Sequence, residues 1–399
     1  MALKSVMQHQ FSMIPKVEVP RSVFNRSHGY KTTFDSGYLV PFYVDEALPG
    51  DTFKANATLF ARLATPVVPV MDNMYLDTFF FAVPLRLIWD NFHKFMGERE
   101  NPEDSIDYLV PQIESGENGF SEGGLEDYFG LPVNVPNLSV SALWHRAYNL
   151  IWNEWFRDQN LQDQVTVNKG DGPDPLSDYK LLKRGKRHDY FTSCLPWPQK
   201  GPGVELPLGG QAPVIGNGNM VLKGDLTMSG FPTQTVSHID LKYNGSELGL
   251  YNHEGEEFVG TIENIGYKDG LYTDLSQATA ATINSLRQAF QIQKLLERDA
   301  RGGTRYTELI RSHFGVISPD ARLQRPEYLG GATKRITIYP VQQTSATTDD
   351  SPLGNLAAFG YVADSGHGFT RSFTEHCVII GMLCVRADLT YQQGIPRMF

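Results

Sequence analysis

The sequence predicts a mainly β fold, an antiparallel sandwich or jelly roll interrupted by a few helices and long insertions. Three observations predict it. Residues 51–64 alternate apolar and polar side chains with period two. Short strand-like runs are separated by turns in a chain with 37 Gly and 24 Pro among 399 residues, above average usage. Phe, Trp and Tyr make up 12% of the chain, enough for a sizeable core and too much for a disordered polymer. By length alone, two or three domains or one large β domain are open.

Each element follows from local chemistry. Tyr38–Val44 is the first strand candidate, and Pro41, lacking a backbone donor, demands an edge or a bulge. In the next strand Phe53, Ala55, Ala57, Leu59, Ala61 and Leu63 share one face, and only Phe60 interrupts the polar side. Tyr75–Val83 is apolar on both faces, as in a strand covered from two sides. A helix is expected over Ser141–Asp158, where an aromatic stripe lies opposite Arg146, Asn149, Asn153 and Arg157. Its tryptophans, Trp144, Trp152 and Trp155, are interface candidates; packing on their own subunit and contact with another are both open. A second helix, Ser276–Arg301, should carry Ile283, Leu286, Phe290 and Leu296 on one face and end at Gly302-Gly303. A short basic helix around Thr307–His313 follows. Strands resume at Lys334–Val341 and Phe373–Leu389, and the strand-like ending Gly394–Phe399 reads as a cut chain.

Composition excludes several classes. No stretch reaches the roughly 18 apolar residues of a membrane-spanning helix, and Met1–Lys16 lacks the apolar core of a signal peptide. Cys194, Cys377 and Cys384 are too few and scattered for a disulfide framework. In one strand, Cys377 and Cys384 should face opposite ways, as buried free thiols of a reducing compartment. The formal net charge of −10 argues by itself against a nucleic-acid binder. It is unevenly spread, however. An acidic loop, residues 98–127, holds ten acids and one base; an acidic surface insertion, 201–275, holds ten acids and three bases. The rest of the chain is therefore net positive. Solubility of long loops and an anionic partner for the body both account for this split.

Catalytic motifs fail one by one. Gly185-Lys186 lacks the upstream Gly and following Ser or Thr of a phosphate loop. His253-Glu254 has no second zinc-ligand His, and Ala363 stands where a nucleophile elbow around Ser365 needs Gly. The ten histidines show no metal-ligand spacing. No enzyme activity, cofactor or metal is expected. One dense basic cluster remains, Lys180–His188, flanked by Tyr179, Tyr190, Phe191 and Trp197. It is either solvated surface or a phosphate-binding segment with rings for base stacking.

The ordered motifs resemble a known family. They include Asn25-Arg26-Ser27-His28, Leu48-Pro49-Gly50-Asp51-Thr52, Phe95-Met96-Gly97-Glu98, Tyr190-Phe191-Thr192-Ser193-Cys194-Leu195-Pro196-Trp197 and Asp320-Ala321-Arg322-Leu323-Gln324-Arg325-Pro326-Glu327-Tyr328-Leu329-Gly330-Gly331. Together they resemble the major capsid proteins of microviruses, the small tailless single-stranded-DNA phages, in their gokushovirus branch. The resemblance implies a viral jelly roll with long inter-strand insertions, one domain over 1–399 that is C-terminally incomplete. It also implies a structural subunit in sixty copies forming a T=1 icosahedral shell around circular single-stranded DNA. The acidic 201–275 segment matches the family's variable insertion, the three-fold protrusion candidate. Tyr243, Asn244, Tyr251, His253 and Tyr267 become host-contact candidates there, and Lys183, Arg184, Lys186 and Arg187 phosphate-contact candidates on the inner face. Charge reversal of those four is expected to reduce genome retention while leaving empty shells. Partners would be further copies of the chain, genomic DNA, other virion proteins and a host receptor. No membrane insertion is expected. The location would be the virion, assembled in the bacterial host cytoplasm. A β-rich receptor- or carbohydrate-binding module that forms no shell is the alternative.

Overall fold

The computed structural model describes residues 22–66, 70–105, 107–189, 191–205, 283–315, 325–350 and 352–391, and the backbone of eight short strands between 214 and 273. They group into two compact units, one from residues 1–194 with 318–399 and one from Leu195–Ile317.

Among the described residues the first unit contains nine strands. They are β1 (Val40–Ala47), β2 (Thr52–Arg62), β3 (Met74–Pro84), β4 (Gln112–Glu114), β5 (Ser139–Ser141), β6 (Glu327–Arg335), β7 (Thr337–Gln342), β8 (Leu356–Ser372) and β9 (Cys377–Ala387). Seven of them build two antiparallel sheets, ordered β1-β9-β3-β6 and β7-β8-β2. The long pairings are nested: the first strand pairs with the last, and the second with the next to last. That winding across two facing sheets is the jelly roll.

Local sequence explains the placement. β2 alternates without a fault between exposed and half-buried positions, so one face packs and the other does not. β1 is an edge strand, and its register shifts between Pro41 and Tyr43, so both devices for an unpaired proline are used. β3 and β9 are buried on both faces. Inward, Phe80, Ala82, Phe369 and Ile379 meet Phe53, Ala55 and Ala57, while Leu76, Val362 and Leu383 meet Leu59 and Ala61 farther along. Gly368 permits the sheet pairing itself, because a Cβ there would run into the Ala55 carbonyl.

Outward, Phe81, Val83, Ile380, Met382 and Cys384 pack against helix α1 (Leu143–Ile151) through Ala147, Tyr148 and Ile151. This helix differs from the sequence expectation in two ways. Its α-helical part is shorter, passing into a π-helical turn at Trp152–Phe156. Its polar side is also buried, with Arg146, Asn149 and Asn153 all covered. Asn149 donates to the Thr166 and Asp178 carbonyls at 2.9 and 3.1 Å, and Asn153 exchanges hydrogen bonds with the Val165 backbone. Arg146 forms a bidentate pair with Asp174 at 2.7 and 2.6 Å and donates to the Ile88 and Gly170 carbonyls. The polar residues therefore hold segment 165–178, satisfying backbone groups that burial would otherwise orphan.

In the second unit the eight strands form four antiparallel pairs, 214–216 with 271–273, 220–223 with 264–267, 226–228 with 258–260 and 239–243 with 248–252. The described pairs are nested in this order, a two-stranded ribbon in four pieces. Helices α2 (Ile283–Arg301) and α3 (Tyr306–Phe314) follow. Ile283 and Phe290 on α2 are exposed. Gly303 between the helices and Gly315 after α3 have positive φ, and Gly315 is the left-handed C-cap.

Candidate nucleic-acid interface

The basic segment 179–188 is fixed by its backbone. Leu182 accepts a hydrogen bond from the Leu39 amide at 2.9 Å and donates to the Tyr148 hydroxyl at 3.0 Å; that hydroxyl in turn donates to Leu39 O at 2.8 Å. The Arg184 amide donates to Gly37 O at 2.9 Å, and Trp152 Nε1 donates to Lys183 O at 2.8 Å. An extended strip pinned in this way sends neighbouring side chains to opposite sides. Leu182 and Arg184 turn inward, and Lys183 between them turns out.

The inward arginine is engaged. Arg184 pairs with the buried Asp77 of β3, which also accepts from Arg386 Nε at 2.7 Å, and its guanidinium lies 5.1 Å from the Phe79 ring centroid. Burial raises the Asp77 carboxyl, but the hydrogen bonds from Arg386, Thr333 and Arg184 outweigh it and leave Asp77 below its ordinary value. Lys186 is engaged too: its ammonium donates to Asp189 at 2.8 Å, Thr192 at 3.1 Å and the Tyr391 hydroxyl at 2.7 Å. Those contacts hold the Asp189 carboxyl well below the usual carboxylate range, the Lys186 hydrogen bond first among them.

Of the four expected phosphate contacts, Arg184 and Lys186 thus have acidic partners, while Lys183 and Arg187 are exposed. Lys183 Nζ stands 5.2 Å from the Tyr38 ring centroid. Lys180 is exposed as well. The expected stacking rings are also redistributed. Tyr179 is buried and donates to Asp174 at 2.6 Å; Phe191 packs 4.6 Å from the Tyr391 ring, and Tyr190 lies outside the described residues.

Comparison with known proteins decides the family. The family model described as capsid protein (F protein) matches residues 12–399. The chain is 51% identical over 403 residues to capsid protein VP1 of Bdellovibrio phage phiMH2K, covering 98% of this chain and 74% of that protein. Against capsid protein VP1 of Chlamydia phage 1 it is 41% identical over 455 residues, covering 100% and 76%. For capsid protein VP1 of Spiroplasma virus 4 the figures are 37% over 408 residues, 97% and 73%. The chain belongs to the phage capsid protein (F protein) family. It is a structural capsid subunit, and the jelly-roll winding is the fold expected of one.

In this capsid protein the three candidate interface tryptophans have different surroundings. Trp152 is buried in the core beneath the basic segment, and Trp144 is partly buried against the same core. Trp155 is half-exposed; its Nε1 donates to Pro326 O at 3.1 Å and Arg325 lies over its ring at 5.0 Å. Among the host-contact candidates, Tyr243, Tyr251 and Tyr267 lie on the ribbon strands, opposite Leu248, Asp240 and Met220. Asn244 and His253 lie outside the described residues.

Cys377 faces the sandwich interior and Cys384 the α1 side, both buried free thiols. Burial pushes them up to about 12 and about 11. Cys194 is exposed. Among the described residues no group of three His, Cys, Asp or Glu could hold a metal ion. No described helix is long and apolar enough to cross a membrane.

Proposed function

We propose that this capsid protein assembles in sixty copies into a T=1 icosahedral shell enclosing circular single-stranded DNA. Assembly takes place in the bacterial host cytoplasm, alongside other virion proteins. The jelly roll forms the wall, and the ribbon within 201–275 meets the host receptor. The observation that carries the DNA assignment is that three cations, Lys180, Lys183 and Arg187, are exposed on a segment whose backbone is pinned to the protein core at residues 182–185. Cations that meet a phosphate chain release its counterions. No catalytic step is assigned.

Electron microscopy of the purified full-length protein tests the shell: closed particles of uniform diameter support it, and soluble monomers overturn it. The DNA assignment is tested by Lys180→Glu, Lys183→Glu and Arg187→Glu combined, in particles produced with their genome. Nuclease-protected DNA per particle is expected to fall while the shells remain. Unchanged DNA content would remove the assignment.

A further inference from the structure

The outer face of the β7-β8-β2 sheet is not an ordinary solvated surface. At one end β2 presents Lys54, Asn56 and Thr58, but at the other Phe60 is 73% exposed, beside exposed Tyr339, Phe359 and Tyr361. Register brings these together: Phe60 is opposite Ala363, Arg62 is opposite Tyr361, and Tyr339 is opposite Phe359. Tyr339 stacks on Phe359 at 5.4 Å and 23° and on Tyr361 at 5.8 Å and 12°. From Lys54 to Arg62 and across their partners, the outward charges are Lys54 and Arg62, with no carboxylate. A chain of net charge −10 has kept acid off this face. Exposed aromatics with an arginine and no acid are the composition of a protein–protein contact core.

Charge and family membership identify the occupant. A capsid subunit meets further copies of itself in the shell. The same chain carries a complementary surface in the described residues of the 96–109 loop, where exposed Met96 and Leu109 flank exposed Glu98, Glu100, Glu103 and Asp107 against one exposed base, Arg99. Among the described residues no hydrogen bond, ion pair or ring contact joins this loop to the aromatic face within one chain. We propose that the aromatic face of β2, β7 and β8 docks on the acidic 96–109 loop of a second copy of this chain. Contact between two unlike surfaces of identical subunits is heterologous, the kind that propagates until a ring or shell closes. The proposal rests on the capsid reading and gives it one specific contact.

Arg62→Glu in the full-length protein, with Phe359→Ser as a second variant, tests it. Both positions are exposed, so circular dichroism and melting temperature should match the parent. Sedimentation velocity should show particle yield down about tenfold or more, the scale of a lost interface anchor. Adding Glu100→Arg and Glu103→Arg to Arg62→Glu should restore assembly. Unchanged particle yield overturns the proposal. Intact shells that merely lose DNA also overturn it, because the face would then bind nucleic acid. Failure of the loop reversal to rescue removes the loop as partner. If the parent forms no particles, the shell reading fails separately, and the variants are compared by concentration-dependent self-association. Equal association of folded parent and Arg62→Glu overturns the contact there too.

Discussion

The two sheets of the jelly roll bury their inner faces on each other but treat their outer faces differently. On β1-β9-β3-β6 the outer face is covered by α1, and the polar side of α1 then fastens segment 165–178. On β7-β8-β2 the described residues leave Phe60, Tyr339, Phe359 and Tyr361 exposed. Apolar surface of the same chemical kind is closed within the chain in one case and left open in the other. Covering the closed face contributes to folding of the subunit; under the proposed contact, the open face is the one that meets a second copy.

The largest expected effect falls on the closed face. Arg146→Met removes one half of a fully buried ion pair and leaves Asp174 facing Tyr179 and Asn168 without its cation. A stability loss of about 3–5 kcal/mol is expected in chemical denaturation. Close behind comes Phe81→Ala, which empties a site packed against Trp155, Phe156 and Tyr328 and should lose about 3–5 kcal/mol. If either variant denatures like the parent, α1 is not the fastening that separates the two faces.

The asymmetry is only partly legible in the sequence. Period two in β2 and the two-sided apolar run of β3 identify the faces to be covered, because burial acts on every second side chain. The lone Phe60 on the polar side of β2 is a break in that period, and it falls on the open face. The polar residues of α1 are harder to place. Helical spacing sets Arg146, Asn149 and Asn153 opposite the aromatic stripe and so toward solvent, but they contact segment 165–178, and its return over the helix cannot be foreseen from that spacing. The basic segment fails in the same way: charge counting groups Arg184 and Lys186 with Lys183 and Arg187. Only tertiary pairing brings Asp77 to Arg184, whereas Asp189, three residues beyond Lys186, is a usable local signal.

Acid titration sharpens the contrast at intermediate strength. Asp77 belongs to the closed side and its carboxyl lies below its ordinary value. A lowered folded value means stability that is fully present above the unfolded carboxylate value of about 3.9 and is lost as pH falls through the folded one. The stability gap between the parent and Asp77→Asn should therefore be constant near neutrality and shrink below about pH 4, measured by urea denaturation across pH. A gap independent of pH would mean that the Arg184 and Arg386 contacts do not depend on the carboxylate charge.

The smallest expected effect is the most discriminating. Phe359→Ser on the open face removes a ring that is 42% exposed and stacked on Tyr339. In unassembled subunits its stability change should stay within about 0.5 kcal/mol, as for surface positions generally. The same ring is therefore expected to be nearly silent in denaturation of the subunit, in contrast to Phe81, which sits on the other sheet with comparable chemistry. A loss approaching that of Phe81→Ala would show that the outer face of β7-β8-β2 is itself part of the subunit core, covered from within the chain, and the distinction between the two sheets would disappear.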